Sequence, residues 1–324
     1  MLAAVAVLSF VVAYAAARVL LTRFGRFALD RPNERSLHQS PVPRTGGIAV
    51  LAGAAVALAF GAAEIWLPLV LALALAVVSF LDDLRGMPSA VRLAAHVGAA
   101  ALLVWYLLSP MHPVEMVVLI LAVGWITNLY NFMDGSDGLA GGMASVGFAA
   151  YGVAAWWGED AALAALCVAL SSAALAFLLH NHHPARIFLG DVGSIPLGFL
   201  AGGLGLLGWR NDLWPLWFPV LVFGPFIGDA TLTLVRRLIR RERVWQAHRD
   251  HYYQRMVRMG LGHRGTAWTA YAVMVVCAAA ALIGRAQSPL LQATTFLGTS
   301  ALLGALAIWV DVRWTRFRRA QGTA

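Results

Sequence analysis

Residues 114–138 read VEMVVLILAVGWITNLYNFMDGSDG. Residues 114–133 form an apolar run of the roughly 20 residues that a helix needs to cross a bilayer. Towards its end and just beyond, Asn128, Asn131, Asp134 and Asp137 recur at every third position. Positions i and i+3 share a helix face, so the amides and the first carboxylate line one wall as the helix leaves the hydrocarbon. Gly135 and Gly138 then allow the backbone to turn tightly beside a ligand. A helix cap needs one Asp or Asn, not four in register. Polar groups at membrane depth are costly and are functional candidates by default. The stretch therefore predicts a membrane helix that ends in a site.

The rest of the chain extends this reading. Of 324 residues, 60% are hydrophobic and 12% charged, where a soluble domain carries about 25% charged. The mean hydropathy is +0.72. Apolar runs cover 2–21, 47–63, 65–81, 90–108, 114–133, 138–157, 161–181, 194–209, 214–235, 266–284 and 290–310. The expectation is an all-α, polytopic integral membrane helical bundle of about 11 transmembrane helices, forming a single domain over 1–324. The first run lacks a basic segment before it and reads as a retained helix rather than a cleaved signal. Gly198, Gly202, Gly203 and Gly205 suit close helix packing in lipid. Cys167 and Cys277 lie inside apolar runs and read as packing residues.

All 24 basic residues are arginine, and the net charge is +8. Most of them fall in loops outside the apolar runs, which is orientation information and argues against a nucleic-acid partner. One set of loops holds Arg23, Arg26, Arg31, Arg35 and Arg44, then Arg85, Arg186, nine arginines from Arg236 to Arg264, and Arg313, Arg316, Arg318 and Arg319. The opposite set holds Arg210 and Arg285 with Glu64, Glu159, Asp160 and Asp212. The positive-inside bias puts the N-terminus in the periplasm and the C-terminus in the cytoplasm, and makes loops 22–46, 82–89, 134–140, 181–193 and 236–265 one cytoplasmic face. A transporter would place its polar groups at mid-membrane, in broken helices. Here they gather at one face, as expected of an enzyme working at the membrane surface.

Three further constellations lie on that face. Asp82 and Asp83 end the third run, and adjacent carboxylates repel unless a cation or a proton intervenes. Asp191 stands between glycines in 186–194, RIFLGDVGS, with Asn181, His182 and His183 opening the same loop. No cysteine or suitably spaced histidine completes a zinc site there, and carboxylate and amide oxygens favour Mg²⁺ or Mn²⁺. The basic loop carries His248-Arg249-Asp250-His251, whose cationic donors suit a phosphate-bearing sugar donor.

Together, Asp82-Asp83, the Asn128–Gly138 motif and Phe188-Leu-Gly-Asp191-Val-Gly-Ser194 resemble the polyprenyl-phosphate N-acetylhexosamine-1-phosphate transferases, the superfamily of the MraY and WecA enzymes. The resemblance implies transfer of a sugar 1-phosphate from a UDP-N-acetylhexosamine to undecaprenyl phosphate, with release of UMP, in the bacterial inner membrane. It implies Mg²⁺, with Mn²⁺ as the alternative, on Asp191 with Asp82 or Asp83 beside it. Asn131 and Asp134 would face ribose and pyrophosphate, and Asp137, Asn181 and Phe188 the uracil, with Phe188 stacked on the base, while Asn128 would also bind substrate. Family members often form homodimers. The fourth motif departs from both named branches. His248-Arg249-Asp250-His251 is closer to the WbpL-like enzymes that start O-antigen or related glycans, which counts against an MraY-like use of the UDP-muramyl-pentapeptide.

The reaction joins two anions, so charge neutralisation leads. A phosphate monoester has a second pKa of about 6, and the lipid phosphate is therefore already a dianion able to attack in line. Asp82 or Asp83 would take the residual proton or orient the acceptor. A covalent phospho-sugar on an aspartate is the competing route.

Overall fold

A computed structural model of the chain describes residues 1–30, 32, 37, 41–243, 246 and 248–322. Arg31 and Arg35 of the first basic loop lie outside the described residues, as does the side chain of Glu64. Among the described residues each apolar run is helical. The helices are α1 (Leu2–Arg23), α2 (Gly46–Ala54), α3 (Trp66–Arg85), α4 (Ser89–Leu108), α5 (Pro113–Phe132), α6 (Leu139–Trp157), α7 (Ala161–Asn181), α8 (Asp191–Arg210), α9 (Trp217–Val222), α10 (Gly224–Ile239), α11 (Tyr252–Met256), α12 (Gly262–Gly284) and α13 (Pro289–Ala320).

Among the described residues, nine helical stretches are long and apolar enough to cross a membrane, α11 and α12 counting as one continuous stretch. The two remaining runs are interrupted. The run at 47–63 gives α2 and then passes into tight 3₁₀ turns, and the run at 214–235 breaks at Phe223–Gly224 between α9 and α10. Pro225 in the first turn of α10 explains the second break, because it cannot donate the backbone hydrogen bond a continuous helix would need. The chain is a multi-pass membrane protein.

Burial orders the bundle. In α8, 89% of the span is buried, against 11% in α13, so α8 is the central post and α13 lies at the periphery. Glycine makes that centre possible. A Cβ on Gly198 would lie 2.7 Å from Cβ of Tyr130, and one on Gly202 would lie 2.7 Å from a methyl of Ile126, so α8 packs directly on α5. The core continues through Phe148, Tyr151, Phe177, Phe199 and Phe223, all fully buried.

One short irregular element matters for the site. β1 (Leu29–Asp30) pairs antiparallel with β2 (Val42–Pro43). The segment before α8 then runs alongside: Phe188 N–H donates to Pro43 O (2.7 Å), Gly46 N–H to Phe188 O (2.9 Å) and Gly47 N–H to Leu189 O (2.9 Å). Gly190 closes this ladder with φ +70°, a left-handed conformation, and a Cβ there would collide with the Arg44 carbonyl. Gly190→Ala should therefore cost at least about 1–2 kcal/mol from conformation alone. A lower melting temperature in detergent would show it, and an unchanged one would contradict this packing.

Candidate active site

The chain alternates direction, and the ends of α3, α5 and α7 meet the starts of α4, α6, α8 and α12 at one end of the bundle. A cleft of about 220 Å³ opens there, lined by Asn131, Asp134, Asp137, Asn181, Phe188 and Asp191 together with Asp30, Arg44, Gln254 and His263. Six of the residues singled out from sequence thus converge, although they come from two separate stretches of chain.

Asp191 opens α8, and Asp82 and Asp83 close α3. The Arg92 guanidinium, from the first turn of α4, lies 2.9 Å from the Asp82 carboxylate and 3.9 Å from that of Asp191. Arg44 lies 3.1 Å from Asp83. Asp82 also accepts from Met87 N–H (2.5 Å), which fixes the turn between α3 and α4. Asn131 accepts from Ser194 (3.1 Å) in the first turn of α8. Burial, and next the Asp191 charge, push the Asp134 carboxyl well above the usual carboxylate range. Among the described residues, Asp82, Asp83 and Asp191 outnumber Arg44 and Arg92, and Asp134 adds a further carboxyl oxygen pair beside them. This is an electronegative site of hard oxygen donors, the donor set that suits Mg²⁺ or Mn²⁺.

A second cluster flanks the same cleft. Asp137 accepts from Ala185 N–H (3.1 Å) and pairs with His183 Nδ1 (2.6 Å), while His263 Nδ1 stands 3.8 Å from its other oxygen. The His183 and His263 rings stack at 5.3 Å. Ligand atoms of Asp137, His183 and His263 all lie within 4.8 Å of one another, a spacing able to hold a metal ion. Sequence spacing offered His183 no such companion, because His263 comes from α12 and the two meet only in the fold.

The structure gives other singled-out residues different surroundings. Asn128 turns away from the cleft and donates to Gly124 O (2.9 Å) in its own helix. Asn181 lines the cleft, but its amide is engaged by backbone: Gly138 N–H donates to its oxygen (2.9 Å) and its nitrogen donates to Ile187 O (2.9 Å). It thereby ties the start of α6 to the loop before α8. His248, Arg249 and His251 do not line the cleft. His251 is buried against Asp229 (3.1 Å), and its ring lies 4.8 Å from that of His248.

Asp229, on α10, was not anticipated. Its carboxylate accepts from the backbone N–H groups of Tyr252 and Tyr253 (both 2.9 Å) and from Thr233 (3.3 Å), besides contacting His251. An aspartate inside the apolar run 214–235 was a signal on membrane-cost grounds alone. Arg92, in the first turn of an apolar run, was a similar one. Gln254 reaches the cleft because Asp229 caps α11, and Tyr253 reaches back to donate to Phe132 O (3.1 Å).

The His248 ring has a consequence for pH. Burial, then the His251 and Arg237 charges, lower its pKa from 6.5 to about 4. Its Nδ1 accepts from Asp250 N–H (3.3 Å), which needs the neutral ring. An unfolded histidine protonates near 6.5, so this contribution to stability is complete above that pH and is lost as pH falls towards 4. Thermal melts between pH 7 and pH 4.5 should show the loss, and His248→Gln should flatten it.

The comparisons with known proteins meet this geometry. The model of the family described as Glycosyl transferase family 4 matches residues 65–208, which hold Asp82, Asp83, the Asn128–Gly138 motif and Asp191. A probable undecaprenyl-phosphate N-acetylglucosaminyl 1-phosphate transferase of Bacillus subtilis is 28% identical over 275 residues, covering 79% of this chain and 77% of its own. A decaprenyl-phosphate N-acetylglucosaminephosphotransferase of Mycobacterium tuberculosis is 28% identical over 342 residues, 90% of this chain and 83% of its own. A phospho-N-acetylmuramoyl-pentapeptide-transferase of Levilactobacillus brevis is 40% identical over 104 residues, 32% of each chain. With the three motifs converging on one carboxylate-rich cleft, the chain is similar to the membrane phosphosugar transferases of the MraY and WecA superfamily.

Proposed function

We propose that this transferase moves N-acetylhexosamine 1-phosphate from a UDP-sugar to undecaprenyl phosphate, releases UMP, and starts a lipid-linked, O-antigen-like surface glycan. One observation carries the reading. Beside the polar cleft of about 220 Å³ lies an apolar one of about 390 Å³ between α10, α12 and α13. Met133 and Tyr253 line the apolar cleft, and their chain neighbours Asp134 and Gln254 line the polar one. A hydrophilic nucleotide sugar and a polyprenyl chain thus each find a compartment of matching polarity, with carboxylates at the junction.

The arginine bias supports an N-terminus in the periplasm and the cleft on the cytoplasmic side of a bacterial inner membrane, within one domain spanning 1–324. Phe188 offers its ring to uracil, and Asp137, oriented by His183 and by Ala185 N–H, offers an acceptor to the base. Asn131 and Asp134 face ribose and pyrophosphate. Asp191 with Asp82 would hold Mg²⁺, or Mn²⁺ in its place, which when bound supplies charge neutralisation on the pyrophosphate. Arg44 and Arg92 keep Asp83, Asp82 and Asp191 oriented despite their like charges. Asp83 or Asp82 accepts the residual proton of the lipid phosphate, whose oxygen attacks the β-phosphorus while the bond to UMP breaks. His248, Arg249 and His251 act from the loop above α11 and set donor choice through the position of Gln254. A homodimer is compatible with this arrangement, because each chain carries a complete cleft.

UMP release by the purified chain with undecaprenyl phosphate and Mg²⁺, across a panel of UDP-N-acetylhexosamines, tests the proposal and names the sugar. Lipid-dependent release with one donor is the expected result. No release with any of them, from protein shown to be folded, would refute it, and activity with the UDP-muramyl-pentapeptide alone would favour the MraY-like reading.

A further inference from the structure

Away from the cleft, a polar crevice of about 750 Å³ lies between the last turns of α10, α11 and the end of α13. Among the described residues, five arginines line it, including Arg236, Arg240, Arg255 and Arg258, against two aspartates, Asp250 and Asp311. Both aspartates are already committed. Asp311 binds the guanidinium groups of Arg236 (2.5 Å) and Arg255 (2.9 Å), and Asp250 binds Arg237 (2.7 Å). The crevice is left with excess positive charge. The transferase reading makes no use of it.

Its borders are apolar and uncovered. Trp314 and Phe317 of α13 stand in its wall, and Leu238 and Ile239, the chain neighbours of Arg240 at the end of α10, are 65% and 75% exposed. Such a rim sits in lipid, not in water. Aromatic rings stand among the cations, with Arg258 stacked 4.8 Å over Trp314 and Arg236 5.3 Å over Tyr252, as at a membrane boundary. A ligand that fits must bring negative charge at headgroup level and acyl chains along the rim.

We propose that this crevice binds the phosphate of an anionic glycerophospholipid, with its chains lying against α10 and α13. Basic pockets between helices at the membrane surface take such headgroups. Occupancy has a route to the reaction. Tyr252 and Arg255 sit on α11, as do Tyr253 and Gln254, and this short helix delivers Gln254 to the polar cleft. A headgroup held against Arg255 steadies that helix from the far side.

The test uses the full chain in nanodiscs of phosphatidylcholine, with and without phosphatidylglycerol, and the double variant Arg240→Gln, Arg258→Gln. These two side chains are exposed and stand outside the catalytic cleft. Native mass spectrometry should show phosphatidylglycerol retained by the unmodified chain and affinity lower by roughly tenfold or more in the variant. UMP release should rise with phosphatidylglycerol in the unmodified chain only, the two proteins being equal in phosphatidylcholine. Equal retention by both proteins would overturn the proposal. So would a raised KM for undecaprenyl phosphate with phosphatidylglycerol retention unchanged, which would make the crevice an acceptor site. A melting shift with inorganic phosphate but no lipid retention would make it a site for free anions instead.

Discussion

Asp191→Asn should reduce sugar-phosphate transfer by roughly three orders of magnitude while leaving the melting temperature unchanged or higher. Asp191 opens the central helix, lines the polar cleft, and shares the Arg92 guanidinium with Asp82. The substitution keeps shape and removes one charge. In the chain by itself that charge is a liability, since Asp82 and Asp83 gather beside it and, among the described residues, Arg44 and Arg92 answer all three. Removing it relieves repulsion, and a cation-dependent reaction loses its main ligand. Stability and activity then move in opposite directions, the sign expected of a residue kept for chemistry. UMP release and a thermal melt on the same preparation read both. Activity within tenfold of the unmodified chain would remove Asp191 from the centre of the site.

Asp229→Ala should also abolish transfer, but with a clear loss of stability. Its carboxylate satisfies the first two backbone N–H groups of α11 and holds His251. Those donors are buried with Tyr252 and Tyr253, which are 6% and 4% exposed. Leaving a buried donor unsatisfied costs about 1–3 kcal/mol, so two such losses bring a total of about 2–6 kcal/mol. Asp229→Asn is the sharper control, because an amide oxygen can still cap one N–H while the NH₂ faces another donor. Expected are a fall in melting temperature and faster hydrogen exchange at residues 252–256. A melting temperature equal to that of Asp191→Asn would show that Asp229 does not build this corner.

Much of this molecule follows from composition and periodicity. A run of about 20 apolar residues has one stable form in hydrocarbon, so the helices at 2–23, 113–132 and 161–181 needed no tertiary information. The same economy made Asp134, Asp137 and Asp191 stand out as candidates, because polar residues at the ends of apolar helices are costly, and the fold brings all three to one cleft. The interruption at Phe223–Gly224, and with it the apolar compartment beside the cleft, was less legible, since an apolar run records length but not where the backbone leaves the helix. The partners of the carboxylates belonged to the fold alone. Arg92 reaches Asp191 across 99 positions of chain, His263 reaches Asp137 from α12, and Asp229 caps a helix more than twenty residues away. Periodicity reports how each segment meets its solvent, which in a membrane decides secondary structure almost completely. Which side chain then satisfies a given charge is set by helix packing, through close approaches such as Gly198 on Tyr130, and packing is a property of pairs of segments.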